Sequence, residues 1–492
     1  MKETESQIVV KKLQHSLDQI GDLIYNETFT AKGGADFLDG KEITLKKVDK
    51  KFNIRFQLAS NERHYFNTAI ETSIEEYQLT SDSGHKYIAP KKSTLLTGIR
   101  DINDEPEFEV SGSVSQLLTT PISNFDDKFH RVFIPIPDTQ FRIDHFARYR
   151  YDSGGNLKNK ELIKVKIDEY NLHLFTLKKD DKVYWGIDSL QKLPFRIFQE
   201  IAYSIFNAYG FVKGDLHLNE AYYLCSDNID FESIGGLQYS SLRDSLLTGY
   251  GIYTTNPYSV YVPLFRSRNM AIDHDFVKSW YDKLPWFRED VFSNLASLLY
   301  KHSSLSRAAL IILEANLQPL ELKAASYCVA FEAVCHTIKK EFGIKSPNVI
   351  DNELWNDVVK SKFSELIEQL YTQGTLNKDQ QRILGNKLNN WNQPTNRDSL
   401  TAPFTKYDYT LSKDEYKCID NRNKFLHGSL PVNERNENEA FRELYHISLT
   451  IHKLVYVLIL KTAGYEGYII NYPKLHQHIT ERDMDQELFV KI

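Results

Sequence analysis

The chain has 492 residues, of which 41% are hydrophobic and 26% are charged. This length and composition exclude a disordered chain and predict two to three globular domains, each able to bury a core. The net charge of −6 at pH 7 excludes a uniformly basic nucleic-acid-binding surface but is compatible with a local basic patch.

Two features predict a cytoplasmic protein. The four cysteines show no metal-ligand spacing, which indicates buried thiols in a reducing compartment. Residues 1–5 do not begin a signal peptide, and the most apolar run, residues 451–460, is short and contains a lysine, so no transmembrane helix is expected. The cysteines are Cys225, Cys328, Cys335 and Cys418.

In chain order, an amphipathic helix is predicted first, because apolar residues recur at intervals of three and four. From residue 43 to about residue 188 the spacing becomes that of short strands separated by turns. The helix stripe is Val10, Leu13, Leu17, Ile20 and Ile24, and the strand-like runs are residues 54–58, 108–110, 132–134, 162–167, 172–174 and 183–185.

A helix is predicted after Pro194, with Gly210 at its end, and short strands are predicted again at residues 221–224 and 260–262. Many short strands at this spacing indicate a sandwich or twisted antiparallel sheets. Residues 1–280 are therefore predicted to form a β-rich domain with one inserted helix near residues 195–210.

Near residue 280 the apolar spacing changes to three and four, and most later segments are predicted to be helical. We expect a helical bundle over residues 285–475 and a C-terminal tail over residues 476–492. Residues 374–409 are predicted to be a polar connection. The fold class is therefore α+β. Apart from the motif helix described next, the expected helices cover residues 291–299, 305–312, 319–342, 358–370 and 438–464.

The most informative helix is predicted from its start and stop signals. Ser412 followed three residues later by Glu415 is a capping box, and Gly428 with Pro431 beyond it ends a helix. The residues between these signals are therefore expected to be helical.

The last turns of this helix carry Arg422, Asn423 and His427. Asn423 and His427 are four apart and share a face, and the longer side chain of Arg422 can reach toward the same point. The partial negative charge at a helix C-terminus favours a protonated His427. A cation, an amide and an imidazole placed together suit a polyanionic ligand.

The pattern Arg422-Asn423-x-x-x-His427 resembles the R-x(4–6)-H signature of the HEPN superfamily, and the nearest branch is the Apea-like HEPN proteins of bacterial phage defence. The resemblance covers roughly residues 285–472. It implies a helical bundle that dimerises, brings two motifs together and cleaves RNA without a metal or another cofactor. A looser match at Arg268, Asn269 and His274 has no capped, apolar-periodic helix around it, so we prefer the match at Arg422.

Glu332 is the second informative position. The stripe of the helix after Pro319, formed by Ala325, Cys328, Val329 and Cys335, passes through Glu332. A carboxylate on an apolar face needs a cation, because burial without one costs several kcal/mol. Arg422 is the expected partner, and the resemblance also implies an acidic residue that holds the motif arginine. The alternatives are another lysine or arginine, or a position at the exposed edge of the stripe.

Three lysines near the motif are candidates for contact with the RNA backbone, namely Lys413, Lys417 and Lys424. The alternative is an ordinary solvated helix face. Other acidic and histidine residues, such as Asp273 with His274, lack the partner spacing of a metal site, and a structural role is expected for His446.

Two functions compete on these grounds. The first is a metal-independent endoribonuclease: an imidazole removes the 2′-OH proton, Arg422 stabilises the phosphoryl charge, Asn423 orients the phosphate or His427, and a cyclic phosphate remains. The resemblance adds a role in anti-phage defence, RNA including tRNA as the substrate class, a homodimer or larger homo-oligomer, and a phage-derived trigger bound by residues 1–280. No membrane partner is expected, because no transmembrane helix is. The second is a catalytically silent HEPN module for dimerisation or partner binding, with recognition by the N-terminal region.

Overall fold

The structure is a computed structural model of the chain, and it describes residues 27–63, 74–102, 106–137, 149–153, 157–179, 181–426 and 436–492, with most of 13–23. It divides into two compact units, Met1–Lys301 and His302–Ile492. The division falls after residue 301, whereas the sequence placed it near residue 280. The first unit is β-rich and the second is mainly helical, which confirms the predicted α+β class.

In the first unit, fifteen strands pair into one sheet, and every pairing between described strands is antiparallel. The strands of this unit are β1 Glu27–Gly33, β2 Glu42–Val48, β3 Lys51–Ala59, β4 Tyr77–Ser81, β5 Lys86–Ala89, β6 Thr94–Asp101, β7 Glu107–Val114, β8 Gln116–Leu118, β9 Phe129–Ile136, β10 Tyr149–Ser153, β11 Leu157–Ile167, β12 Tyr170–Lys179, β13 Lys182–Ser189, β14 Asp215–Leu216, β15 Glu220–Ser226, β16 Gly236–Ser241 and β17 Leu246–Leu247. The sheet order is β10-β11-β12-β13-β9-β15-β16-β8-β5-β4-β1-β2-β3-β7-β6, and β14 pairs with β17 separately.

The strand faces follow the sequence pattern. In β7 every second residue is buried, as expected for a strand with one face on the core, whereas all residues of β13 after Lys182 are buried. Each of the six strand-like runs lies inside a strand of the sheet. In the predicted first helix, Leu13, Leu17 and Ile20 are buried, while Val10 and Ile24 lie outside the described residues.

Four helices of the first unit are α1 Phe195–Lys213, α2 Tyr258–Ser267, α3 His274–Lys278 and α4 Glu289–Lys301. Helix α1 does not end at Gly210 as predicted. A Cβ atom at Gly210 would lie 2.9 Å from the Cβ of Leu216, so this glycine permits close packing inside the unit. The helix ends at Gly214, whose φ of 80° is the left-handed conformation that favours glycine.

The strand predicted at residues 260–262 is wrong, because these residues lie in α2. Pro257 precedes the helix, and the Asn256 side chain accepts a hydrogen bond from the Tyr258 backbone N–H at 3.0 Å. Burial of Val260 and Tyr261 on the helix then overrides the strand preference of this β-branched and aromatic run.

Among the residues that the structure describes, the second unit contains nine α-helices of four or more residues, a five-residue π-helix at Trp355–Val359, and one strand pair. The helices are α5 Ser303–Ala315, α6 Leu320–Glu341, α7 Lys360–Thr372, α8 Lys378–Asn390, α9 Asn396–Lys406, α10 Lys413–Leu426, α11 Glu437–Thr462, α12 Tyr472–Leu475 and α13 Gln477–Thr480, and the strands are β18 Tyr468–Ile470 and β19 Phe489–Lys491. The predicted tail is therefore structured in part, since β19 pairs with β18. The predicted polar connection contains α8 and α9.

Helix α11 forms the core of the second unit. It is long and apolar enough to cross a membrane, but 89% of its most apolar window is buried inside the protein. His452 of α11 is 1% exposed and lies 5.2 Å from the ring of Tyr327 on α6, measured between ring centroids. This burial is what the core helix of a globular unit shows.

Helix α7 carries an apolar stripe that is partly exposed. The helix is present, but none of its residues is buried, and Phe363 and Leu366 of its apolar stripe are 39% and 48% exposed. The apolar period therefore predicted the helix correctly, and the apolar stripe of this helix is not buried within the chain.

Candidate active site

Helix α10 begins as its capping signals predict. The Ser412 backbone N–H donates to Glu415 Oε2 at 2.7 Å, and the Glu415 backbone N–H donates to Ser412 Oγ at 3.2 Å. These reciprocal bonds satisfy two backbone donors that a helix start leaves open. The box therefore fixes the start and direction of the helix that carries Arg422.

Arg422 lies on the inner face of α10, where its side chain is 3% exposed. Its Nε donates to Glu332 Oε1 on α6 at 2.9 Å, and its Nη1 donates to the backbone carbonyl of Ile419 at 3.3 Å. The structure thus confirms the predicted pairing of Arg422 with Glu332. The pair links α10 to α6 and uses two of the five N–H donors of the guanidinium group.

Glu332 lies at the edge of the apolar face of α6. Its side chain is 38% exposed, so water reaches the carboxylate from one side. Cys328 and Cys335 of the predicted stripe are buried, but Val329 is 47% exposed and does not belong to it. The buried stripe is instead Ala324, Tyr327, Cys328, Phe331, Val334, Cys335 and Ile338.

The thiols beside this ion pair are not reactive groups. Burial raises the pKa of Cys328 to about 12 and raises that of Cys335 as well, while the charge of Arg422 lowers both to a smaller extent. Both cysteines are therefore protonated at neutral pH and act as small apolar side chains.

The other motif residues are placed as follows. Asn423 is exposed at the last turn of α10. His427 lies outside the described residues, as do Gly428 and Pro431.

Comparisons of the chain with protein-family models, with curated proteins and with solved structures find no match. The HEPN resemblance therefore stays a prediction.

The three candidate RNA-binding lysines form one exposed stripe. At about 100° per residue, Lys413, Lys417 and Lys424 fall within a sector of roughly 40° on α10, while Arg422 falls roughly 140–180° away. All three lysines are exposed, and Lys417 Nζ lies 3.8 Å from Glu443 Oε1. Within one chain, the stripe and Arg422 therefore occupy opposite faces of the same helix.

The looser match to the motif is divided between two elements of the first unit. Arg268 caps the C-terminus of α2, Asn269 has a positive φ of 53°, and His274 is the first residue of α3. Asp273 accepts a hydrogen bond from the Phe276 backbone N–H as the N-cap of α3. The predicted absence of one continuous helix around this match is confirmed.

A polar cluster on α10 and α11 contains potential metal ligands. Ligand atoms of Asp414, Cys418 and His446 lie within 4.8 Å of one another. His446, which is 0% exposed, hydrogen-bonds to Asp414 Oδ2, and Arg482 donates to Asp414 Oδ1 at 3.0 Å. The hydrogen bond from His446 is the main reason that the pKa of Asp414 is lowered. Arg482 supplies a positive charge beside this carboxylate, and the burial of His446 against Asp414 fits the structural role predicted for it.

A buried ion pair in the second unit was not identified from sequence. Lys453 Nζ lies 2.8 Å from Glu415 Oε1, and their side chains are 1% and 3% exposed. The available signal was a lysine within the apolar run 451–460, since a charge at such a position requires a buried partner. Glu415 caps the start of α10, as the sequence predicts, and it also forms this ion pair.

Proposed function

We propose that the chain is a HEPN-type endoribonuclease that acts in anti-phage defence in the bacterial cytoplasm. The observation that carries the proposal is the Arg422–Glu332 ion pair, because it fixes a guanidinium group on α10, and His427 follows Arg422 by five residues in the sequence. An arginine pre-positioned by a carboxylate is suited to bind a phosphate, and three N–H donors of Arg422 make no hydrogen bond to a residue that the structure describes.

The proposed reaction uses proton transfer at both oxygens of the scissile phosphodiester. The imidazole of His427 removes the proton from the 2′-OH group, and the 2′-oxygen attacks the adjacent phosphorus. The bond from phosphorus to the 5′-oxygen breaks, and an imidazolium group from a second copy of the chain protonates the departing oxygen. Arg422 stabilises the charge on the phosphoryl oxygens, and Asn423 orients the phosphate or His427.

Dimerisation completes this proposed site, because one chain contributes one motif histidine to a reaction that needs an acid and a base. A two-fold axis near the end of α10 would bring two copies of Arg422 and His427 to one phosphate. Residues of the first unit would then restrain the nuclease until a phage-derived trigger binds. RNA, with tRNA among its forms, is the proposed substrate class.

One observation favours a second function. Arg422 is 3% exposed and already bonded to Glu332 and to the Ile419 carbonyl, as expected for a structural arginine. A catalytically silent HEPN module that mediates dimerisation or partner binding would need no more than this. The two functions differ in whether purified protein cleaves RNA.

The test is incubation of the purified chain with total cellular RNA in EDTA, followed by analysis of the new ends. We expect cleavage that leaves 2′,3′-cyclic phosphate or 3′-phosphate ends, because the proposed nucleophile is the 2′-OH. DNA of matched sequence lacks that group and should stay intact. Strict dependence on magnesium, or equal cleavage of DNA, would contradict the mechanism.

A further inference from the structure

The second unit contains a buried histidine that the proposed ribonuclease reaction does not use. His452 lies on α11, the core helix of this unit, and is 1% exposed. Neither of its ring nitrogens, Nδ1 nor Nε2, forms a hydrogen bond with a residue that the structure describes. Buried polar side chains are hydrogen-bonded in the large majority of cases. His452 therefore costs stability that an apolar side chain at this position would not cost.

Aromatic rings from three helices surround this imidazole. The rings of Tyr327 on α6, Tyr456 on α11 and Tyr472 on α12 lie 5.2, 4.8 and 5.8 Å from it, measured between ring centroids. The Tyr327 hydroxyl donates to Asn316 Oδ1 at 2.6 Å and so is bonded away from the imidazole. The ring of His452 is therefore part of the contact that joins α11 to α6 and α12.

The surroundings of His452 disfavour a protonated ring. The charged group that acts on it is Lys323, which precedes Tyr327 by four residues on α6, and two neighbouring cations repel each other. Burial, and to a smaller extent the charge of Lys323, lower the pKa of His452 from 6.5 to about 3. The imidazole is therefore neutral in the folded chain at neutral and at mildly acidic pH.

The other titratable groups near α11 do not compensate a charge on His452. The carboxylates of Asp414 and Glu415 on α10 pair with His446 and Lys453 of α11 instead. No carboxylate among the described residues forms an ion pair with His452. The titratable side chains that stack one after the other beside Tyr472 are two histidines, His476 and His478.

We propose that His452 is an acid-sensitive contact that holds α11 against α6 and α12 at neutral pH and releases it in acid. An imidazolium group is unfavourable in this apolar setting, because no described partner replaces the water that it would lose. A proton therefore binds when the helices separate and water reaches the ring. The proposal does not rest on ribonuclease activity, because His452 is not part of the motif at Arg422.

The direction of the pH effect follows from the folded and unfolded states. The pKa of His452 is about 6.5 in the unfolded chain and about 3 in the folded chain. The unfolded state thus binds one more proton between these values, so the stability is fully present above about pH 6.5 and is lost as pH falls toward 3. Uptake of one proton on unfolding raises the unfolding equilibrium constant about tenfold for each pH unit in this window.

The experiment is urea denaturation of the full chain at about pH 7.5 and about pH 5, followed by circular dichroism, for the unchanged chain and for His452→Phe. Phenylalanine keeps an aromatic ring and has no titratable group. On going to the lower pH, the unfolding constant of the unchanged chain should rise roughly thirtyfold more than that of His452→Phe. An equal rise in both proteins would overturn the proposal.

Two further variants complete the test. His452→Leu has a smaller side chain that cannot overpack the site, and it should lose the same pH-dependent part whatever its stability at neutral pH. His336→Phe makes the same change as the first variant at an exposed histidine of α6, and it should keep the pH dependence of the unchanged chain. If His336→Phe removes that dependence while both His452 variants retain it, the proposal is wrong. Failure of the RNA cleavage assay would leave these measurements unaffected.

Discussion

At the scale of single residues, two ion pairs of the second unit differ in character. The Arg422–Glu332 pair has one partner that water reaches, whereas both partners of Lys453–Glu415 are buried. In the first pair, water reaches the carboxylate of Glu332, whereas the guanidinium group of Arg422 is buried. The second stabilises the fold, because separating two buried charges is expensive.

We predict that Glu332→Gln lowers RNA cleavage roughly tenfold, because a neutral acceptor holds the Arg422 guanidinium less firmly than a charged one. The effect should not add to that of Arg422→Ala, since both substitutions would disturb one unit. Initial rates on a defined RNA measure both. Glu321→Gln, at an exposed position of the same helix, is the control. Additive losses would show that the pair has no joint role.

Removal of the carboxylate from the buried pair should destabilise the protein strongly. We expect Glu415→Gln to lower the free energy of unfolding by about 3–5 kcal/mol at pH 7, because Lys453 would remain charged and buried. Urea denaturation monitored by circular dichroism measures the loss. Disruption of the exposed pair by Lys417→Ala should change stability by at most about 0.5 kcal/mol.

The same variant predicts a pH dependence. Burial raises the pKa of Glu415, but the charge and hydrogen bond of Lys453, together with the bonds from Ser412 and Tyr409, outweigh that effect and lower it below 4.5. A lowered folded-state pKa contributes stability above the unfolded value and loses it as pH falls. The stability difference between the unchanged chain and Glu415→Gln should therefore shrink below about pH 4.5. A difference that is constant down to pH 3 would contradict this assignment.

At the scale of secondary-structure elements, the sequence predicted those features that depend on residues close together in the chain. The start of α10 followed from Ser412 and Glu415, because capping depends on residues three apart. The same signal was available for α8, where Asn377 and Gln380 form a capping box, but the polar composition of the segment concealed it. The Arg422–Glu332 pair was predictable because a carboxylate beside an apolar stripe needs a cation as its partner.

What could not be predicted depends on tertiary contacts. The strand preference of residues 260–262 yielded to the packing of α2, and Gly210 serves close packing with Leu216 where a helix end was expected. The burial of Lys453 against Glu415 joins residues 38 positions apart, and no local pattern encodes that pairing.

The exposed stripe of α7 leads to a stability prediction. Leu366→Ala should change the free energy of unfolding by at most about 0.5 kcal/mol, because Leu366 is 48% exposed. Leu313→Ala in α5 removes a fully buried side chain and should cost about 2–5 kcal/mol. Chemical denaturation of both variants provides the comparison. Equal losses would show that α7 is covered in solution, for example by another copy of the chain.

At the scale of the whole molecule, a β-rich unit precedes a helical unit that carries the candidate site. The overall charge of −6 does not attract RNA, so any RNA binding must depend on local groups such as the α10 lysines. Arg422 and the lysine stripe lie on opposite faces of α10. In the proposed homodimer, the lysine stripes of both copies are therefore separate from the two copies of Arg422.

A homodimer should be the active species. An excess of His427→Ala chains, mixed with unchanged chains and allowed to exchange, should suppress the RNA cleavage rate, because mixed dimers lack one of the two proposed proton-transfer groups. Arg422→Ala chains provide a second test of the same arrangement. Light scattering that shows a monomer at concentrations with full activity would contradict a shared site.

The central claim is that the motif at Arg422 and His427 performs the RNA cleavage. The most direct measurement compares cleavage rates of the unchanged chain, His427→Ala and His274→Ala on one RNA in EDTA. We predict that His427→Ala lowers the rate by about 10²-fold or more, as expected when a general acid or base is removed, and that His274→Ala cleaves normally. Full activity of His427→Ala would contradict the claim, and loss of activity in His274→Ala alone would assign the reaction to the other motif.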